Sequence, residues 1–363
     1  MKPYFNREKV CEKMGKKITL QDIAKATGVT AASVSMILNG KDISRFTPEL
    51  VSRVLETARA LHYVPPSAKN EQRQIAIISP SVNNPYHTTI IMGIERAAVA
   101  NGYLTSIFNT YWNPHTELAI LRQMEKRRFA GIIYVMNPLQ LDRVREINRH
   151  TPIVAVGDIV NNLGIDMVDI NNFNAARIVA EHLISLGHRH IAYLTTSLNS
   201  HHIARVRRFE GLQATYRQLC PEGSVSVYCK DNKYEREIQS PDIELESGRE
   251  LAMECMKNPA ITAIVSINDM VGYGVLDALL EQGCRVPEDY SLCGFDNIFP
   301  SSFRRMQIST VDHSTVYHGA RAFHLLREKL EDGGDQASVY PITRVEYESK
   351  LILRGSTAAP RRA

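Results

Sequence analysis

The sequence predicts a small all-α helix-turn-helix domain followed by a larger α/β part made of two lobes, each a doubly wound parallel sheet. Three observations lead there. The 363 residues are too many for one ordinary domain. Between Ile18 and Leu61, apolar residues recur at three- and four-residue spacing. From Ile75 onward, short apolar runs alternate with helical stretches, and the alternation restarts after Asp166.

In the head, Thr19 can cap a first helix, with Asp22 at the third helical position. Ile23, Ala24 and Thr27 share one face, and Gly28 supplies the positive φ that ends the helix. Thr30 can cap a second helix whose inner face is Val34, Ile37 and Leu38, stopped by Asn39-Gly40. Thr47-Pro48-Glu49 opens a third: cap, proline at the first position, acid in the first turn. Leu50, Val51, Val54, Leu55, Ala58 and Leu61 form its apolar face. Two helices joined by a tight glycine turn match helix-turn-helix geometry. The domains are thus a flexible basic arm at 1–17, the helix-turn-helix domain at 18–64, a linker at 65–73 and the α/β part at 74–357.

In the α/β part, the expected strands are 75–78, 104–108, 131–135 and 153–156, then 191–194, 224–229, 263–266 and 290–295. The helices between them are expected at 89–101, 117–127 and 140–149, then 175–186, 205–218, 247–256 and 271–282. The chain should cross between lobes near 171 and near 300. Ligands of such sheets bind beyond the carboxyl ends of the strands. This singles out Ser79–Asn84, Val156–Asp158, Thr195–Arg208, Ser266–Asp269 and Phe295–Asn297.

Charge is unevenly placed. Residues 1–73 carry thirteen Lys/Arg against seven Asp/Glu, so a +6 head precedes a −2 remainder in a chain of net +4. A basic head on a mildly acidic body suits a phosphate-binding module on a sensor. The six cysteines form no C-x-x-C pair or zinc-like spacing, as in a reduced, cytoplasmic protein. Residues 1–17 lack the apolar run of a signal peptide, and no stretch approaches the roughly 18 apolar residues of a membrane span. Membrane association is therefore not expected.

Ile18–Gly40 resembles the signature helix-turn-helix of the LacI/GalR family of transcription regulators. Asn84-Pro85-Tyr86, Gly93-Ile94-Glu95, His182–Ala192, Arg208–Leu212 and Gly294-Phe295-Asp296 resemble the family's body motifs. The resemblance runs from residue 18 to about 357. It implies a ligand-responsive repressor and a homodimer, with a body like a periplasmic binding protein. The partners it implies are double-stranded DNA, as a palindromic operator, and a small effector, a sugar or sugar derivative.

On that comparison the second helix enters the major groove by its N-terminal residues. The candidate DNA contacts are Thr19, Thr30, Ala31, Ala32, Ser33, Ser35, Met36 and Asn39. Ser33 and Asn39 can bond phosphates, and the two alanines suit thymine methyls. Position 36 usually holds an arginine in the family; Met36 cannot donate to guanine. The linker Tyr63–Lys69 keeps the start of the family's hinge pattern, but it lacks the leucine that wedges into the minor groove and is several residues shorter. Less DNA bending is expected.

For the effector, Arg208 stands at the family's ligand-clamping arginine and offers a fork of donors. Asp296 can accept from hydroxyls, and Asn268 can donate and accept. Tyr86 and His87 match first-loop positions that pack on ligand, with Asp158 and His202 on strand-end loops. Asn171 replaces a common aspartate. No metal, cofactor or catalytic residue is expected. His188, His190, His201 and His202 lack a completing carboxylate or cysteine. An α/β enzyme and a periplasmic binding protein are the rival readings. The common nucleotide, nucleophile-elbow and zinc-protease motifs are absent, and the basic helical head opposes the second. The eight residues after Gly355 carry no heptads, which favours a dimer over a coiled-coil tetramer.

Overall fold

The head's first helix, α1 (Leu20–Thr27), begins where the sequence places its cap. Asp22 Oδ2 accepts the Thr19 backbone N–H at 2.7 Å, and Thr19 Oγ1 accepts that of Asp22 at 3.4 Å. Gly28, at φ 75°, ends it. Helix α2 (Ala31–Leu38) is opened by Thr30, whose Oγ1 accepts the Ser33 N–H at 3.1 Å. Helix α3 (Pro48–Ala60) follows Thr47, whose Oγ1 accepts from Leu50 N. Ile23, Ala24, Val34, Ile37, Val54 and Ala58 form the core, where three short helices meet. A 3-10 turn at Ile43–Arg45, not expected from the sequence, precedes Phe46, which packs on that core.

The computed structural model describes residues 18–38, 42–61, 63, 73–127, 129–158, 164–198, 203–230, 242–331 and 341–361. They fall into two compact units, Met1–Gln72 and Arg73–Ala363. The expected basic arm lies outside the described residues, as does the linker except for Arg73.

The second unit holds two six-stranded sheets. In chain order the first lobe contributes β1 (Gln74–Ser79), α4 (Pro85–Ala100), β2 (Leu104–Asn109), α5 (Pro114–Lys126), β3 (Gly131–Tyr134), α6 (Leu141–Asn148), β4 (Ile153–Gly157) and β5 (Asp166–Ile170). The second contributes α7 (Asn172–Ser185), β6 (His190–Thr196), α8 (Ile203–Leu219), β7 (Ser224–Lys230), α9 (Ile243–Cys255), β8 (Ala263–Ser266), α10 (Asp269–Glu281), β9 (Ser291–Phe295) and β10 (Ser309–Asp312). The chain then returns through α11 (Thr315–Glu331) and β11 (Arg344–Tyr347) to the first lobe, and ends with β12 (Lys350–Ile352) in the second.

The strand orders are β11-β5-β4-β3-β1-β2 and β12-β10-β9-β8-β6-β7. Every pair is parallel except β10–β12. Helices cover both faces, so the central strands are buried and mostly apolar. Separate clusters around Ile77 and Ile133, and around Ile78 and Ile132, fill the two faces of the first sheet.

Three differences from the sequence reading have physical causes. Strand β5 was not expected, because acids sit inside its fully buried run. Asp166 is held by Thr343 N at 2.9 Å and Lys329 Nζ at 2.9 Å, partners remote in sequence. The return expected near 300 comes after Asp312, because β10 first extends the second sheet. A third passage follows Tyr347, so three segments join the lobes.

Candidate functional site

The lobes enclose a cavity of about 170 Å³ at the carboxyl ends of their strands. Of the seven expected effector residues, Tyr86, His87, Asp158, Arg208, Asn268 and Asp296 all line it; His202 lies outside the described residues. Asn171 does not line it. Its Oδ1 caps α7 on Asn174 N and its amide donates to Glu346.

Local structure places each group. Helix α4 starts four residues earlier than its apolar spacing suggested, because Asn84 caps it and Pro85 takes the first position. Tyr86 and His87 therefore stand on its first turn, not on a loop. Asp158 directly follows β4, and Asn268 caps α10 by accepting the Val271 N–H at 2.9 Å. Asp296 follows β9 at φ 103°, a sparsely populated conformation costing about 1–3 kcal/mol. Its surroundings hold it there: its N–H donates to Val311 O. Before it, Gly294 faces Asp269 Oδ1, which a Cβ would meet at 2.3 Å. Asp269 is itself a structural carboxylate, accepting from Ser301 Oγ, Thr310 Oγ1 and Ile298 N.

Arg208 is buried at the centre, 5 % exposed. Its Nε donates to Asn172 Oδ1 at 2.6 Å, its Nη1 to the Ile267 carbonyl, and its Nη2 to Asp296 Oδ1 at 3.4 Å. The guanidinium lies 4.3 Å from the centre of the Phe295 ring, a cation–π contact. Asn172 in turn donates to Asp158 Oδ2 at 2.8 Å. Burial pushes both Asp158 and Asp296 up to about 6, opposed at Asp158 by the Asn172 bonds and at Asp296 by the Arg208 charge. Burial holds His87 down to about 4, so its imidazole is neutral near pH 7.

Asn84 and Arg205 line the cavity from within strand-end segments that the sequence marks, without having been named as effector residues, whereas Trp112, Asn137, Asn172 and Glu244 were missed by sequence reasoning. Glu244, at the start of α9, accepts from Asn84 at 2.9 Å and from Asn268 at 2.9 Å. Within the marked segments, the Asn84 capping pattern and the position of Arg205 three residues before Arg208, one helical turn, could have picked out these two; the other four carry no such signal. Three buried polar atoms on the wall have no hydrogen-bond partner among the described residues: His87 Nδ1, Asn137 Oδ1 and Arg205 Nη1. Such atoms are costly unless something pairs with them.

In the head, Thr30 Oγ1 lies 2.9 Å from Ser33 Oγ, and Ala32 is exposed. Ala31 departs from the expected outward position. It is half-buried, as Ser33, Ser35 and Met36 are, and packs on the head's core. Ser35 and Met36 are half-buried, and Met36 stands outside the core cluster. Thr19 is exposed, and Asn39 lies outside the described residues. Among the described residues, no group of three His, Cys, Asp or Glu is placed to hold a metal ion, and no helix is long and apolar enough to cross a membrane.

These features define a two-lobed small-molecule receptor joined in sequence to a three-helix, helix-turn-helix head. Residues 72–350 match the family model of periplasmic binding proteins and the sugar binding domain of the LacI family, and the chain belongs to that family. It is 27% identical over 352 residues to the HTH-type transcriptional repressor PurR of Haemophilus influenzae (strain PittEE), covering 93% of this chain and 98% of that one. A LacI-family regulator from Corynebacterium glutamicum superposes with a TM-score of 0.61 at 27% identity, covering 80% and 100% of the two chains. The regulator CelR in complex with cellobiose shares the fold, with a TM-score of 0.63 at 21% identity over 93% and 99%. The chain is a LacI-family, DNA-binding transcription regulator with an effector-binding domain.

Proposed function

We propose that this regulator is a cytoplasmic, non-enzymatic repressor whose homodimer binds a palindromic operator and whose cleft takes a small polyhydroxylated effector, a sugar or sugar derivative. The observation that carries the effector class is the trio of unpartnered atoms, His87 Nδ1, Asn137 Oδ1 and Arg205 Nη1. They offer one donor, Arg205 Nη1, and two acceptors, Asn137 Oδ1 and the Nδ1 of a neutral His87 whose ring is hydrogen-bonded to the Ser81 backbone, on opposite walls beside the Asp158 and Asp296 carboxylates and the Trp112 ring. A ligand with several hydroxyls can donate to and accept from such a set, while its apolar ring face covers the indole. The head contributes Thr19, Thr30, Ala32, Ser33, Ser35, Met36 and Asn39 as its DNA-facing candidates, with phosphate contacts giving a salt-sensitive affinity.

Calorimetric titration of the full chain with D-ribose, D-xylose, D-glucose, cellobiose and hypoxanthine tests the effector class. Saturable binding of a sugar, weakened about tenfold or more by Arg205→Ala, is the expected result. Binding of hypoxanthine alone overturns it. A selection from random duplexes tests the DNA side. Enrichment of a palindrome with strong salt dependence is expected, and enrichment of no sequence overturns the reading.

A further inference from the structure

The three passages between the lobes lie at 171–172, 313–314 and 348–349, and each brings one polar side chain toward the same guanidinium. Asn172, at the first, accepts Arg208 Nε at 2.6 Å and is 3% exposed. His313, at the second, lies 3.2 Å from Arg208 Nη2 through its Nε2 and is 1% exposed. Ser349, at the third, lies 2.9 Å from His313 Nδ1 through its Oγ.

Protonation follows from the partners. A guanidinium only donates, so His313 Nε2 accepts. The ring proton then sits on Nδ1 and donates to Ser349 Oγ. The imidazole is clamped between Phe295, whose ring is stacked at 9°, and the edge of Tyr86 from the opposite lobe. Of the five N–H groups of Arg208, four are engaged inside the protein, by Asn172, Ile267, Asp296 and His313. One Nη1 proton is left for a ligand. Arg205, one turn away, keeps a buried Nη1 with no hydrogen-bond partner among the described residues.

We infer that Arg208, besides lining the cavity, acts as a hub that ties the three interlobe passages together, with Asn172, His313 and Ser349 as its positioning residues. Asn172 carries the same connection on to Asp158 at the end of β4. Two of the cavity's carboxylates, Asp158 and Asp296, are thereby wired to the segments that must bend if the lobes move. A change at either one is felt at the hinge without a long pathway. The effector's part in this rests on the reading given above. The hub itself is a property of the unliganded chain, so its test needs no ligand and stands or falls separately.

The test is amide hydrogen exchange on the full chain without ligand, comparing His313→Ala, His313→Gln and Ser349→Ala with the parent. His313→Ala is expected to speed exchange at least tenfold at 171–174 and 347–350, neither of which it alters in sequence. Exchange in β3 and β8 should stay at the parent rate. His313→Gln, whose amide can accept from Arg208 and donate to Ser349, should restore most of the protection. Should His313→Ala fail to fold, Ser349→Ala decides, with faster exchange expected at 313–316. Acceleration confined to the substituted segment, or no recovery with glutamine, overturns the hub.

Discussion

The side-chain amide of Asn84 reaches across the cleft to Glu244, with 2.9 Å between Nδ2 and Oε2. Asn84 caps the first helix of one lobe, and Glu244 opens α9 of the other. The second oxygen of Glu244 accepts from Asn268 at 2.9 Å, so one carboxylate latches the two lobes. Glu244→Gln puts an amide where one of two donors must be accepted. Removing one charge-assisted bond costs about 1.5–3 kcal/mol. The expected outcome is roughly ten- to hundredfold weaker binding of the tightest sugar, read by calorimetric titration.

The two arginines of the cleft are expected to behave differently. Arg205 has an unpartnered nitrogen, so Arg205→Ala should weaken effector binding about tenfold or more and leave the melting temperature within about two degrees. Arg208→Ala leaves the buried Asp296 uncompensated and should cost about 3–5 kcal/mol of stability. Differential scanning calorimetry beside ligand titration separates them.

Binding should depend on pH with a definite sign. Burial raises Asp158 and Asp296 to about 6. A carboxyl accepts hydroxyl donors fully only when ionised. Protonation therefore removes acceptors as pH falls through 6, and affinity should drop between about pH 7.5 and about pH 5. Titration at both values checks this, with equal affinities as the contrary result. The effect is absent by construction in an Asp158→Asn, Asp296→Asn double variant.

Helices α9 and α10 pack closely enough that Glu244 meets Asn268, and glycines make this possible. A Cβ on Gly274 would lie 1.9 Å from the Leu245 carbonyl, and one on Gly248 2.1 Å from that of Val271. Gly274→Ala must push the helices apart. Overpacking of this kind costs about 1–3 kcal/mol. A melting temperature lower by several degrees and weaker ligand binding are expected together, because the same displacement opens the Glu244–Asn268 bond.

In the head, Met36 stands outside the core and cannot donate a hydrogen bond. Met36→Arg should add a guanine preference worth about 1–3 kcal/mol at one operator position without unfolding the domain. Selections with both proteins measure it. An unchanged preference would place residue 36 away from the base edges.

The sequence carried the head almost whole. Its caps are local: Thr19 with Asp22, Thr30 with Ser33 and Thr47 with Leu50 are all three residues apart, so spacing alone shows them. It also carried the parallel sheets, because strands covered on both faces are mostly apolar. It pointed to Arg208 and Asp296 through family motifs, and both line the cavity.

What only the tertiary structure decided is how polar groups far apart in sequence pair when buried. Strand β5 was hidden because it carries buried acids, one of which, Asp166, finds its partners near 329 and 343. Glu244 acquires a role only when Asn84, 160 residues away, comes within 2.9 Å. Arg208 reads in sequence as a ligand clamp, yet the fold engages four of its five donors. The physical reason is common to all three. Helix caps and apolar periodicity are satisfied within a few residues, whereas a buried charge or amide is satisfied by whatever the topology brings beside it.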